Sequence, residues 1–105
     1  MICRLWHGRT PREDADAYAA FLEQRALPDY RARPGNLDAT VLRRDAGDVT
    51  HFMTISHWTD EAAIRAFAGE AIAKARYYPE DRRFLLEFEP TVQHYEVRAR
   101  AARTD

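Results

Sequence analysis

Cysteine is almost missing from this 105-residue sequence: Cys3 is the only one. That excludes an internal disulfide and any multi-cysteine zinc or iron–sulfur centre, and it points to a reducing compartment. In an apolar N-terminal stretch, Cys3 reads as a small buried hydrophobe. Lysine is equally scarce, Lys74 being the only one, so nearly every cation is an arginine, the better partner for carboxylates and planar anions. Charge of one sign is lacking too, since Lys+Arg 16 against Asp+Glu 17 leaves a formal net charge of -1. No global field therefore favours nucleic acid or an anionic membrane. No apolar run approaches the length of a membrane span, and no signal-peptide pattern opens the chain. A phosphate-binding glycine loop, a dinucleotide fingerprint, a His-Glu-x-x-His helix and a Gly-x-Ser-x-Gly elbow are all absent. The expectation is a cytoplasmic protein with neither nucleic acid nor membrane as a partner.

What is present is one domain's worth of alternating pattern. A chain of this length buries roughly 65% of its unfolded surface, enough for a core without staples. Ile2 to His7 reads as a strand. Thr10-Pro11-Arg12-Glu13 reads as a helix start, with Thr10 as cap, Pro11 in the first turn and Glu13 completing a capping box. Ala15, Tyr18, Phe21, Leu22 and Ala26 recur at helical spacing, Pro28 ends that helix, and Pro34-Gly35-Asn36 makes a turn. Leu37 to Asp45 and Val49 to Trp58 read as strands joined through Ala46-Gly47-Asp48. Thr59-Asp60-Glu61 starts a second helix with acids suited to its N-terminus. Its stripe is Ile64, Phe67, Ala68, Ala71, Ile72 and Ala75, with Gly69 as a point of kinking or breaking. Phe84 to Phe88 is apolar but fits neither helix nor strand decisively, and Thr91 to Arg98 reads as a last strand.

The order strand, helix, strand, strand, helix, strand predicts an α+β, ferredoxin-like βαββαβ fold over residues 1–98, with 99–105 a polar tail. Both helices would lie on one face of a four-stranded antiparallel sheet. Neither face of the Val49 to Trp58 strand is plainly solvent-exposed, so the other face is expected to meet a second copy, giving a homodimer.

The candidate chemistry centres on Tyr77-Tyr78-Pro79-Glu80-Asp81, two phenols and two carboxylates at the expected end of the second helix. Trp6, Trp58, Phe67, Tyr77 and Tyr78 suit a pocket for a planar aromatic molecule. Core filling is the commoner role for Trp58 and Phe67. Buried tyrosine hydroxyls need partners, for which Asp81, Arg43 and the histidines are available. Glu80, Asp81, Glu87 and Glu89 also read simply as a solvated or ion-paired rim. His7, His57 and His94 fall on strands that this topology brings near one another, yet their spacing does not support a metal site. His94 and Tyr95 must face opposite sides of the sheet. A histidine facing the cavity can act as a base, although a satisfied core or interface histidine is the more frequent outcome. The candidates are therefore Tyr77, Tyr78 and His94 for catalysis, and Trp6, Trp58, Phe67, Arg43 and His51 for substrate, with no metal and no cofactor.

Over residues 1–98 this pattern resembles the antibiotic biosynthesis monooxygenase family of dimeric α+β-barrel proteins. The resemblance rests on Trp6-His7-Gly8, Pro34-Gly35-Asn36, Ser56-His57-Trp58 and Phe67-Ala68-Gly69. The run from Ala75 to Asp81 and His94-Tyr95-Glu96-Val97 complete it. It implies one pocket per subunit between sheet and helices. It also implies oxidation of anthrone- and quinol-type polyphenols by molecular oxygen without flavin, haem or metal. A base would remove a phenolic or enolic proton, and the carbanion would reduce oxygen in a dry aromatic cavity. A haem-degrading branch of the family uses an Asn on the first strand, a Trp on the second helix and a His ten positions later. This chain has no such Asn, and it carries Phe67 and Tyr77 at the other two positions, which counts against haem degradation. The leading expectation is a cofactor-independent monooxygenase for a planar phenolic, quinol or anthrone-type molecule. The alternatives are a non-catalytic dimer that binds a small aromatic metabolite, and a cofactor-free isomerase or lyase.

Overall fold

The computed structural model describes residues 1–103. Four strands, β1 (Ile2–Pro11), β2 (Asn36–Ala46), β3 (Val49–Trp58) and β4 (Gln93–Glu96), form one sheet in the order β2-β3-β1-β4. Every pairing is antiparallel. A 3-10 turn at Arg12–Asp14 leads into α1 (Ala15–Phe21), a π turn at Leu22–Ala26 and α2 (Leu27–Arg31). The second helical element, α3, spans Glu61–Ala68. The expected ferredoxin-like arrangement is the one observed.

Alternation along the two central strands sets the layers. Arg4, Trp6, Gly8 and Thr10 on β1, and every second residue from Thr50 to Trp58 on β3, are buried beneath the helices. Leu5, His7, Arg9, His51, Met53, Ile55 and His57 point the other way and are half-buried. Tyr18, Phe52, Trp58 and Ile64 are fully buried, and Phe52 meets the edge of Tyr18 with ring centroids 5.1 Å apart. The turn before β2 needs Gly35: its φ is +86°, and a Cβ there would lie 2.4 Å from the Ala63 Cβ of α3.

Four local expectations are corrected. Strand β1 continues to Pro11, paired with Val49, so Thr10 lies in the sheet and its hydroxyl donates to the Pro11 carbonyl. The extra ladder pairs take Thr10 away from its capping role, and the box with Glu13 does not form. Pro28 does not end the helix. It follows the π turn in the first turn of α2, where its missing N–H and its ring are tolerated. In contrast, α3 does end at Gly69, whose φ of +99° stops it while its N–H still reaches the Arg65 carbonyl. Ala71, Ile72 and Ala75 therefore lie off the helix, in a segment that opens with a turn closed by Lys74 N on Ala71 O. That segment bonds to residues 90–92 through Ala75 N to Pro90 O and Val92 N to Ala73 O. Finally, β4 covers only Gln93–Glu96 of the expected Thr91 to Arg98, and Pro79–Arg83 forms a 3-10 turn.

Candidate active site

The run that ends in Asp81 closes one side of the helical layer. Proline at 79 starts a tight turn, and Asp81, two residues on, reaches back to accept the Tyr78 N–H at 2.6 Å. Its other oxygen accepts the Tyr18 hydroxyl at 2.8 Å. Asp81 is 2% exposed. Burial pushes its carboxyl up, against the opposing pull of those two donors. The Tyr18 phenol is driven far above its ordinary value by burial and by Asp81, so the shared proton stays on the tyrosine.

A second polar knot lies around Asp29 of α2. It accepts the Tyr78 hydroxyl and an Arg76 N–H, both at 2.6 Å, and Arg33 reaches its other oxygen at 3.1 Å. Burial alone would raise Asp29, but these bonds with the Arg76 and Arg33 charges hold it at about 2. Burial and the Asp29 carboxylate push the Tyr78 phenol well up. Arg76 also stacks over Phe67, 4.5 Å from the ring centroid.

Between the knots lies a small cavity of about 20 Å³, lined by Trp6, Tyr18, Leu22, Ala26, Tyr30, Thr54, Arg76, Tyr78 and Asp81. That is room for about one water. Tyr78 forms the wall between it and an open cleft of about 650 Å³ lined by Tyr77, Tyr78, Pro79, Arg82 and Phe88. Tyr77 meets Phe88 edge-on at 5.0 Å and Trp6 at 6.2 Å, while its hydroxyl donates to the Glu89 carbonyl at 2.6 Å.

Of the residues singled out from sequence, Trp6, Tyr77 and Tyr78 thus border the cavity or the cleft. Phe67 lies just behind, under Arg76. Trp58 is deeper, with its indole N–H on the Ser56 hydroxyl at 2.9 Å and its ring against Phe67 and Tyr30. Arg43 sits at the β2 edge, paired with Asp16 at 2.7 Å and Asp45 at 3.1 Å. His51 lies on the opposite face of the sheet beside His7. His94 faces the helices as its alternation with Tyr95 requires, but it lines neither cavity nor cleft. Its Nε2 lies 3.0 Å from Arg4 Nη1. An arginine only donates, so that nitrogen is an acceptor and the ring proton sits on Nδ1. Burial and the Arg4 charge push His94 below its ordinary value. Arg4 itself, 2% exposed, also donates to the Ile72 and Lys74 carbonyls and so anchors the turn after α3.

Sequence reasoning did not single out Asp29, Arg76, Tyr18 or Tyr30 for the site. The signals were faint: Tyr18 reads as one apolar position in a stripe, and Tyr30 follows the proline taken as the helix end. Asp81 is a buried partner, not a solvated rim acid.

The Asp29 knot gives a pH prediction. Its folded-state value lies below the ordinary aspartate value of 3.8, so its stabilisation is present above that value and disappears as pH falls towards about 2. Melting temperatures measured between pH 5 and 2 should therefore drop more steeply for the wild type than for Asp29→Asn.

Among the described residues, no group of three or more His, Cys, Asp or Glu is arranged to hold a metal ion. No helix among them is long and apolar enough to cross a membrane. No curated protein matches the chain. The NE2512 protein of unknown function from Nitrosomonas europaea superposes with a TM-score of 0.68 at 20% identity, covering 99% of this chain and 95% of that one. The haem-degrader MhuD from Mycobacterium tuberculosis, with two haems bound in its active site, gives a TM-score of 0.66 at 20% identity, over 97% and 100% of the two chains. Rv0793 from the same organism gives 0.62 at 16% identity, over 97% and 100%. At these identities the likeness establishes the fold. A family model, antibiotic biosynthesis monooxygenase, matches residues 1–76. The chain belongs to the antibiotic biosynthesis monooxygenase family.

Proposed function

We propose that this protein is a cofactor-independent monooxygenase that oxidises a planar phenolic, quinol or anthrone-type molecule with molecular oxygen. Family membership supports the broader role, oxygenase chemistry or small-molecule binding. The observation that carries the finer reading is Asp81, a buried carboxylate raised by burial at the wall of a cavity, with an aromatic cleft immediately outside. A carboxylate raised by burial is a stronger base than an exposed one. The ligand would stack against Tyr77 and Phe88, and displacement of the Tyr78 side chain would admit its acidic O–H to Asp81. The anion left behind delivers electrons to oxygen. One oxygen atom ends as a carbonyl on the attacked ring carbon as its C–H bond breaks, and the other leaves as water with the hydrogens from that carbon and from the ligand O–H. Tyr77 and Tyr78 position the ring. His94 has its acceptor nitrogen engaged by Arg4, so Asp81 takes the base role in this scheme.

Haem, carried by the MhuD structures, does not fit this chain's residues. The cavity lining has no histidine or cysteine, and its Tyr18 and Tyr78 hydroxyls each donate to a carboxylate, which opposes phenolate ligation. The reading includes a cytoplasmic homodimer, supported by the half-buried Leu5, Met53 and Ile55 on a sheet face that no helix covers.

Oxygen uptake with a panel of anthrones and hydroquinones tests the proposal. Asp81→Asn should lower turnover by about 10²-fold or more. Tyr77→Phe and Tyr78→Phe should act more weakly, and His94→Ala should change little. Failure of every substrate to drive uptake would sink the proposal. Binding without turnover selects the second reading, a non-catalytic binding protein, which is favoured by an inner cavity no larger than about one water. Turnover that persists without oxygen would select an isomerase or lyase.

A further inference from the structure

The uncovered sheet face carries a proton chain that the proposed oxygenase site does not use. His7 Nδ1 lies 2.6 Å from Glu89 Oε2, and His7 Nε2 lies 2.9 Å from His51 Nδ1. The carboxylate only accepts, so His7 carries its proton on Nδ1 and offers the Nε2 lone pair to His51. With both rings neutral, His51 then donates from Nδ1, which leaves its Nε2 as a lone pair. No described residue hydrogen-bonds that atom. One carboxylate thus fixes both tautomers and aims a base outward, the logic by which an acid orients a histidine in hydrolytic triads.

The surroundings suit an acidic ligand. A separate hollow of about 400 Å³ opens here, and its walls include His7, Leu42, Arg44, His51 and Met53. Arg44 stands opposite His51 across the β2–β3 ladder and has no carboxylate partner among the described residues. The other charges facing His51 are Arg9 and Glu87, which pair with each other at 2.6 Å. Burial first, then the charges of Arg44, His7 and Arg9, hold His51 below its ordinary value, so it is the neutral, accepting form at neutral pH.

We propose that this hollow is a second ligand site, taking a small acidic phenol or enol whose O–H donates to His51 Nε2, whose apolar body lies on Leu42 and Met53, and whose oxyanion is held by Arg44. On transfer, the O–H bond breaks and an Nε2–H bond forms on His51. The His51 Nδ1 proton passes to His7 Nε2, and the resulting imidazolium lies against Glu89, so nothing is oxidised or reduced. All three members, Glu89, His7 and His51, come from one copy of the chain.

Long-range imidazole NMR of the full chain, followed by titration with phenol, which keeps its O–H at pH 8, tests this. At pH 8 both His7 and His51 are expected in the Nδ1–H tautomer, with Glu89→Gln releasing that preference. The probe should shift the His51 ring and the Leu42 and Met53 methyls. His51→Gln and the edge-strand variant Arg44→Gln should each weaken its binding about tenfold, the usual worth of one charge-assisted hydrogen bond. Arg44→Gln keeps the test open should His51→Gln fail to fold. An Nε2–H tautomer at His51 would overturn the proposal, and so would probe shifts confined to Tyr77, Tyr78 and Phe88.

Discussion

Replacing Asp81 with alanine is expected to destabilise the fold by about 2–6 kcal/mol, because it orphans one buried and one part-buried donor that each lose roughly 1–3 kcal/mol. The Tyr18 hydroxyl is fully buried and has no other hydrogen-bond partner among the described residues, and the Tyr78 N–H opens the Pro79–Arg83 turn. For a domain near this size each kcal/mol moves the melting point by about 4–8 °C, so thermal denaturation reads the effect directly. Asp81→Asn should lose less, because the amide oxygen still accepts from Tyr18 while only the Tyr78 N–H is left facing a donor. The pH dependence runs opposite to that of Asp29. Burial raises Asp81 in the folded state, so stability from its protonated form is present below 3.8 and fades as pH rises through the folded value. The advantage of wild type over Asp81→Asn should therefore be largest in acid and shrink as pH climbs. Parallel curves for the two would mean that Asp81 does not titrate as a buried group.

The parts of this molecule that were legible in the sequence are those governed by period and punctuation. Alternation through His51, Phe52, Met53 and Thr54 assigned faces correctly, because in a strand side-chain direction is fixed by parity alone. The same rule separated His94 from Tyr95. What parity does not encode is the partner each side chain finds. The hydroxyls of Tyr77 and Tyr78 end on the Glu89 carbonyl and on Asp29, partners 12 and 49 residues away in sequence. Asp29 looks like any solvated helix acid until the chain after Gly69 returns Arg76 over it. Pro28 misled for a related reason: its local rule is sound, and a single π turn satisfies it without ending the helix. Gly69 gave the opposite outcome, since the apolar stripe continued through Ala75 while the backbone did not.

Trp58→Ala carries the second large expected effect, about 3–5 kcal/mol, the range for deleting a fully buried aromatic. The ring packs on Phe67 at 5.1 Å and on Tyr30 at 6.2 Å, and its N–H satisfies the buried Ser56 hydroxyl oxygen. Deletion would open a void beneath Phe67, the ring that carries Arg76, and so would loosen the Asp29 knot as a secondary consequence. Loss of ligand affinity in Trp58→Ala therefore would not by itself mark a binding residue. Trp58→Phe separates the two roles, because it keeps most of the packing and removes only the indole edge and its hydrogen bond, which is worth about 0.5–1.5 kcal/mol. If Trp58 is core, Trp58→Phe should melt several degrees lower yet bind aromatic ligands within about twofold of the wild type, less than 0.5 kcal/mol. A tenfold loss of affinity in a well-folded Trp58→Phe would instead place the ligand against the indole, deeper than the Tyr78 wall allows in this conformation.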